Sequence, residues 1–158
     1  MRYPHLFSKG NIGNVTLKNR IVMCALAMGV SDDRQCIGED FLAYLMERAK
    51  GGVGLIVLEN TRVDDEHGVA APWQASVARD EQIAPMARAV EALHGEGVKV
   101  FAQLHHPGRE TFSNLNGDEP VWSSSSKPCG VCQQETHEMT TAEAEAIIGK
   151  FVAGAVRA

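Results

Sequence analysis

The side chains best equipped for chemistry stand where apolar runs turn polar. The run Val98-Lys99-Val100-Phe101-Ala102-Gln103-Leu104 leads into His105-His106-Pro107-Gly108-Arg109. A glutamine amide donates and accepts at once, so Gln103 matches a neutral ring edge on which donors and acceptors alternate, such as a pyrimidine. His106 is a candidate general acid, and with Arg109 it could orient an acidic or carbonyl substrate. Adjacent strand residues point to opposite faces, so only one of His105 and His106 can enter a common site. A second set, Cys24-Ala25-Leu26-Ala27-Met28-Gly29, has little side-chain bulk and offers backbone N–H and C=O groups to a flat ligand. A third, Glu59 to Arg62 with Asp64-Asp65-Glu66, could hold paired carboxylates, although a solvated acidic loop is the expectation. Cys129-Gly130-Val131-Cys132 has the spacing of half a metal site or of a redox pair. A structural zinc needs two further ligands, to be drawn from Cys36, His137 or Cys24, and no second CxxC exists. A thioredoxin-like pair would sit between a strand and a helix N-terminus. These cysteines lie in a long loop, so unpartnered thiols are the expectation.

Positioning these residues requires alternating strands and helices. Leu6 to Lys18, with Gly10, Asn11, Gly13 and Asn14 between short apolar stretches, reads as a tight hairpin. Arg20 to Leu26 is a nearly unbroken apolar run and reads as a strand buried on both faces. Phe41, Leu42, Leu45, Met46 and Ala49 recur at helical spacing between Gly38 and Lys50, and Gly51-Gly52 stop that helix. A phosphate loop would instead follow a strand and open a helix. Val53 to Leu58 is a second buried strand ending in a polar mouth at Glu59. Ile83, Met86, Ala87, Val90 and Leu93 mark a second helix, with Pro85 in its first turn. Val98 to Leu104 is the third strand. Thr111 to Met139 reads as one long loop, the length of a functional segment or lid. A third helix starts at the capping box Thr140-Thr141-Ala142-Glu143 and carries an apolar stripe of Ile147, Ile148, Phe151, Val152, Ala155 and Val156.

Three βα repeats leave an open doubly wound sheet or a (β/α)₈ barrel, and ligands bind at strand C-terminal ends in both. A complete barrel needs about 250 residues, against 158 here. The composition is that of an ordinary globular chain, 44% hydrophobic and 22% charged, which argues against disorder. A net charge of −5 without any Lys/Arg block argues against nucleic acid as a partner. No apolar run approaches the roughly 18 residues of a membrane span. The start, Met1-Arg2-Tyr3-Pro4-His5, leads into no secretory segment, so a cytoplasmic protein with reduced thiols is expected.

Several stretches together resemble one family. Leu6-Phe7, Ile12-Gly13, Leu17-Lys18-Asn19-Arg20-Ile21-Val22-Met23, Gly51-Gly52-Val53-Gly54-Leu55-Ile56 and Gln103-Leu104-His105-His106-Pro107-Gly108-Arg109 are similar, in order and spacing, to the N-terminal part of the Old Yellow Enzyme family of NADH:flavin oxidoreductases. The likeness is greatest to its 2,4-dienoyl-CoA reductase branch. The resemblance covers residues 1–158 and implies the first three βα units of a TIM barrel behind a closing hairpin, as the N-terminal segment of a larger domain. It implies FMN at the barrel mouth and NAD(P)H as hydride donor. The substrate would be an unsaturated carbonyl or acyl-CoA whose activated C=C bond is reduced. Carried over by position, Ala25, Leu26 and Ala27 would line the flavin through their backbone. Asn60, where relatives commonly have alanine or glycine, would face it, and Gln103 would hold its pyrimidine edge. His106 and Arg109 would lie toward the substrate. The proton donor, the phosphate contacts and any iron–sulfur cluster would fall beyond Ala158, leaving this chain inactive alone. The rival expectations are a non-catalytic half-barrel and a metal-binding module on Cys129 and Cys132.

Overall fold

The computed structural model describes residues 2–158; Met1 lies outside the described residues. The chain opens on an antiparallel hairpin, β1 (Gly10–Ile12) and β2 (Val15–Leu17), turning at Gly13 with φ +54°. Three parallel strands follow in chain order: β3 (Val22–Met23), β4 (Leu55–Arg62) and β5 (Lys99–His105). Between them run α1 (Glu39–Lys50) and α2 (Ile83–Gly95), and α2 is entered through a 3₁₀ turn at Asp80–Gln82. Gly51 and Gly52 close α1, the latter at φ +96°, and Pro85 lies in the first turn of α2.

Side-chain alternation sorts the sheet into two faces. Ile56 and Leu58 of β4 join Phe41, Leu45 and Ala49 of α1 and Met86, Ala89 and Leu93 of α2 in one buried core. Met23, Val100 and Leu104 pack against it. The opposite face carries Val22, Val57, Phe101, Asn60 and Gln103 and is covered much less. The hairpin sits at the N-terminal end of the sheet, where Lys18 Nζ donates to Glu96 O at the end of α2 (2.7 Å). There Asn19 is wedged against Gly54, whose missing side chain is what allows the approach: a Cβ would stand 2.6 Å from Asn19 Oδ1. The hairpin therefore closes the end of the sheet opposite to the mouth.

Three expectations are corrected. The first strand is two residues long, not the seven of Arg20 to Leu26, because among the described residues β3 is an edge paired with β4 alone, and Cys24 to Gly29 leave the ladder. Val22 and Leu26 are exposed, so the run is not buried on both faces. The second strand does not end at Leu58. It continues to Arg62, with Glu59, Thr61 and Arg62 all buried: Glu59 and Arg62 find partners in the loops folded over them, and Thr61 Oγ1 donates to Glu59 O. Finally, the segment from Thr111 to Met139 is not one loop. It holds a 3₁₀ turn at Ser113–Leu115 and a parallel pair, β6 (Val121–Ser123) and β7 (Thr136–Glu138), whose three-residue strands are too short to show periodicity.

The last helix, α3 (Thr141–Arg157), begins with the anticipated box: Thr140 Oγ1 accepts from Glu143 N–H, and the Glu143 carboxylate accepts from Thr140 N–H (2.7 Å). Phe151 packs on the core, whereas Ile148, Val152 and Val156 are exposed, so the apolar stripe is wider than the face it buries. The helix docks through Gly154, where an added Cβ would meet Val63 Cγ1 at 2.7 Å. Gly154→Ala should therefore destabilise. Overpacking costs about 1–3 kcal/mol, more than the roughly 1 kcal/mol that alanine gains in helix propensity. Urea titration checks this, and adding Gly154→Ala to Val63→Ala should cost less than adding it to the parent.

Candidate functional site

The C-terminal ends of β3, β4 and β5 meet at one mouth. Asn60 and Gln103 are register partners across β4 and β5, so their carboxamides lie side by side on the open face. A register shift between Leu58 and Asn60 makes this so: Glu59 is the extra residue of a β-bulge, without which it would oppose Gln103. Gln103 is exposed. Asn60 Oδ1 is shielded from solvent and has no hydrogen-bond partner. His105, two residues beyond Gln103, shares its face. Burial, and after it the neighbouring His106, hold His105 below the ordinary histidine range, so this wall of the mouth is neutral near pH 7.

The third wall is the segment after β3. Among the described residues no hydrogen bond engages the backbone of Ala25, Leu26 or Ala27, which leaves these peptide groups free for a ligand. What fixes the segment is Glu59, which by its sequence neighbours belongs to an acidic stretch expected to face solvent. The residue is instead 3% exposed. It accepts from Met28 N–H (2.6 Å) and from Ala75 N–H (3.1 Å), so one side chain ties the post-β3 segment to the loop after β4. The signal available in the sequence was a carboxylate directly after a buried apolar run, where it must find donors or stay out of the sheet. Gln74 does similar service: its Nε2 donates to Asn60 O (2.7 Å) and its Oε1 accepts from Ala70 N–H.

His106 and Arg109 are placed differently. His106 belongs to the opposite face from Gln103 and is buried. Its Nδ1 accepts from Gly108 N–H (3.1 Å), which puts the proton on Nε2, 3.7 Å from Asp64 Oδ2. Asp64 is buried too, and its Oδ1 accepts from Lys150 Nζ of α3 (2.7 Å) and from Glu66 N–H (2.9 Å). Burial alone would raise the Asp64 pKa; the facing His106, Lys150 and the Glu66 N–H together hold it well below the carboxylate range. Arg109 Nη1 donates to Lys127 O (2.8 Å) and thereby ties the β5 end to the β6–β7 segment. The acidic stretch is thus largely built into the fold: Asp65 also pairs with Arg62 (2.6 Å) and Arg79 (2.9 Å).

Beside the mouth, Trp122 of β6 stacks on His67, with centroids 3.9 Å apart and planes 14° apart. The pair lines a cleft with Glu119, His137 and Glu143. His137 Nε2 lies 3.1 Å from both oxygens of Glu143. Cys129 and Cys132 stand between β6 and β7 with free thiols, and among the described residues no group of three His, Cys, Asp or Glu side chains could hold a metal ion.

The sequence profile of the NADH:flavin oxidoreductase / NADH oxidase family matches residues 5–158. The chain belongs to that family. Among its relatives are an NADH oxidase of Thermoanaerobacter brockii, 40% identical over 99% of this chain and 24% of that protein. An NADPH dehydrogenase of Listeria monocytogenes serotype 4a is 34% identical over 97% of this chain and 44% of that protein. The chain thus spans less than half the length of these relatives. Among solved structures, the Old Yellow Enzyme homologue of Zymomonas mobilis superposes with a TM-score of 0.85 at 26% identity, over 98% of this chain and 45% of that one. Morphinone reductase bound to tetrahydroNAD has the same fold, with a TM-score of 0.88 over 98% of this chain and 46% of that one. β3, β4 and β5 with their helices are therefore the first three staves of a (β/α)₈ barrel, as the sequence led one to expect. The family is one of flavin-dependent oxidoreductases. No helix among the described residues is long and apolar enough to cross a membrane.

Proposed function

We propose that this chain supplies the pyrimidine-side half of an FMN site in an NAD(P)H-dependent oxidoreductase that reduces an activated C=C bond of an unsaturated carbonyl or acyl thioester. The observation that carries the reading is the Asn60–Gln103 pair: two neutral carboxamides in register at the mouth, one exposed and the other with an unpartnered oxygen. A pyrimidine-type edge that donates and accepts in alternation uses both groups of a carboxamide, whereas an edge that only donates or only accepts leaves one of them unused. The open backbone of Ala25 to Ala27 fits the same group, because a planar ring needs a wall without bulk. When bound, the flavin supplies the hydride chemistry between the nicotinamide and the substrate alkene.

The residues of this chain bind and orient. Gln103 would hold the ring edge by donating through Nε2 and accepting through Oε1, with Asn60 adding a second carboxamide beside it. Ala25, Leu26 and Ala27 would offer peptide groups to the ring, on a segment anchored by Glu59 through Met28. His105, held below the ordinary histidine range by burial and then by His106, adds a neutral imidazole beside Gln103. His106 and Arg109 act in this reading as positioning residues, the first within the β5 end and the second on the β6–β7 segment.

In the full-length protein, Gln103→Leu should weaken FMN binding about 10-fold, the equivalent of one to two neutral hydrogen bonds, with little change in Tm because the side chain is exposed. Flavin fluorescence quenching measures it. An unchanged affinity would remove Gln103 from the site. The substrate class is tested by reducing the bound flavin anaerobically with NADH or NADPH and following its reoxidation by a cyclic enone, an enoyl thioester or dioxygen. Reoxidation by dioxygen alone would overturn the C=C assignment and leave an oxidase.

A further inference from the structure

The crossing between β6 and β7 folds the Cys129-Gly130-Val131-Cys132 run into a single tight turn. Cys129 O accepts from Gln133 N–H (3.0 Å), and Gln133, at φ +51°, ends the turn with left-handed backbone. The Cys129 sulfur is an acceptor. Val131 N–H donates to Sγ (3.4 Å) from within the turn. A turn closed from residue i to i+4 is one helical turn, which sets Cα atoms three residues apart at about 5 Å, inside the roughly 4.4–6.8 Å Cα separation that a disulfide spans. The thiols are unequal. Cys129 is 8% exposed, whereas Cys132 is more open. The other cysteines, Cys24 after β3 and Cys36 before α1, belong to other parts of the fold. No metal-sized ligand group includes the pair among the described residues.

We propose that Cys129 and Cys132 form a dithiol/disulfide pair that exchanges with low-molecular-weight disulfides. The Cys129 thiolate attacks one sulfur of RSSR, forming a Cys129–S–SR mixed disulfide and releasing RS⁻, which takes up a proton. Cys132 then loses its proton and attacks the Cys129 sulfur, forming the Cys129–Cys132 bond and releasing the second RSH. Two thiols are oxidised and one RSSR is reduced to two RSH. The direction of attack follows from the turn. Backbone N–H groups of Cys132 and Val131 lower the Cys129 pKa by stabilising its thiolate, while burial and then the charge on Cys129 raise that of Cys132. Isolation in a long loop argued in the sequence against a redox pair. The turn supplies locally the converging amides that a helix N-terminus supplies elsewhere. The site needs no flavin, so its test is independent of the cofactor reading.

The full-length protein is incubated with excess oxidised glutathione, acid-quenched, alkylated and mapped by mass spectrometry. The expected result is a Cys129–Cys132 disulfide, seen as the loss of two hydrogens from the segment holding both, reopened by dithiothreitol while Cys24 and Cys36 stay alkylatable. Cys132→Ser should trap Cys129 as the glutathione mixed disulfide, at least about ten times faster than Cys129→Ser traps Cys132. Four free thiols throughout, or a disulfide involving Cys24 or Cys36, would overturn the pair. Equal trapping rates would overturn the assigned order. The wild-type map alone decides the first point, even if a serine variant misfolds.

Discussion

Replacing Glu59 by alanine should cost about 3 kcal/mol of stability and, in the full-length protein, abolish tight flavin binding. The carboxylate is buried and accepts two backbone N–H groups, those of Met28 and Ala75. Hydrogen bonds to charged groups contribute about 1.5–3 kcal/mol each, and alanine would leave both donors without an acceptor, one of them on buried Ala75. The binding effect has a separate origin. Ala25 to Ala27 have no hydrogen bond to the rest of the fold among the described residues, so the Met28 anchor decides where they stand. Glu59→Gln keeps one acceptor oxygen and should lose about half as much stability. Urea unfolding followed by circular dichroism gives the first quantity and flavin titration the second. A Glu59→Ala protein with parental flavin affinity would show that the segment is held by something else.

Asp64→Ala should be comparably destabilising, by about 1.5–3 kcal/mol for the charge-assisted bonds lost, because Asp64 is buried while Lys150 is partly open to water. Lys150 would keep only the contact to Glu66 (3.1 Å), whose carboxylate is exposed and screened by solvent. The His106 Nε2 proton would face no charge at all. Asp64 and Lys150 join the β4 end to α3, so the loss should appear as undocking of the helix, with hydrogen exchange rising along residues 141–157 first. The pair also sets a pH window. Asp64 has a folded pKa below its unfolded value, so its contribution is complete above the unfolded carboxylate range near pH 4 and is lost as pH falls through the folded value. The Lys150 pKa is raised: burial opposes this, and the bonds to Asp64 and Glu66 outweigh it. Its contribution is complete below the unfolded lysine range and is lost as pH rises through the folded value. Stability should hold a plateau across neutral pH, and Asp64→Asn should flatten its acid limb.

The staves and helices were readable because each announces itself in one period. The core positions of α1 and α2 recur at helical spacing, and Gly51, Gly52 and Thr140 mark ends by backbone chemistry that no tertiary contact overrides. Gln103 is legible as a neutral polar residue at the end of an apolar run, and it stands exposed at the end of β5 in register with Asn60. Glu59 and Asp64 read as members of an acidic stretch facing solvent. The position of Glu59 directly after a buried apolar run signals that it needs donors, but which donors these carboxylates find is not local, since Met28, Ala75 and Lys150 lie far from them in sequence. The β6–β7 pair was missed because three residues carry no period, and its parallel pairing is fixed by the crossing rather than by either strand. His106 and Arg109 looked reactive by type, yet their partners, Asp64 and Lys127, become visible only when the β4 loop and the β6–β7 segment fold over the β5 end.

The bulge at Glu59 has a consequence for how this mouth can change over time. Side-chain direction along a strand follows parity, so one surplus residue sends the anion toward the loops and returns the following carboxamide to the ligand side. The polarity of the mouth is therefore governed by residue count as much as by residue identity. Point substitutions on either side of the bulge can adjust the site gradually, whereas a single-codon deletion or insertion between Leu58 and Asn60 would trade a neutral wall for a misplaced one in one step. Such length variants should be rare among functional descendants of this sequence, even where substitutions at the same positions are tolerated.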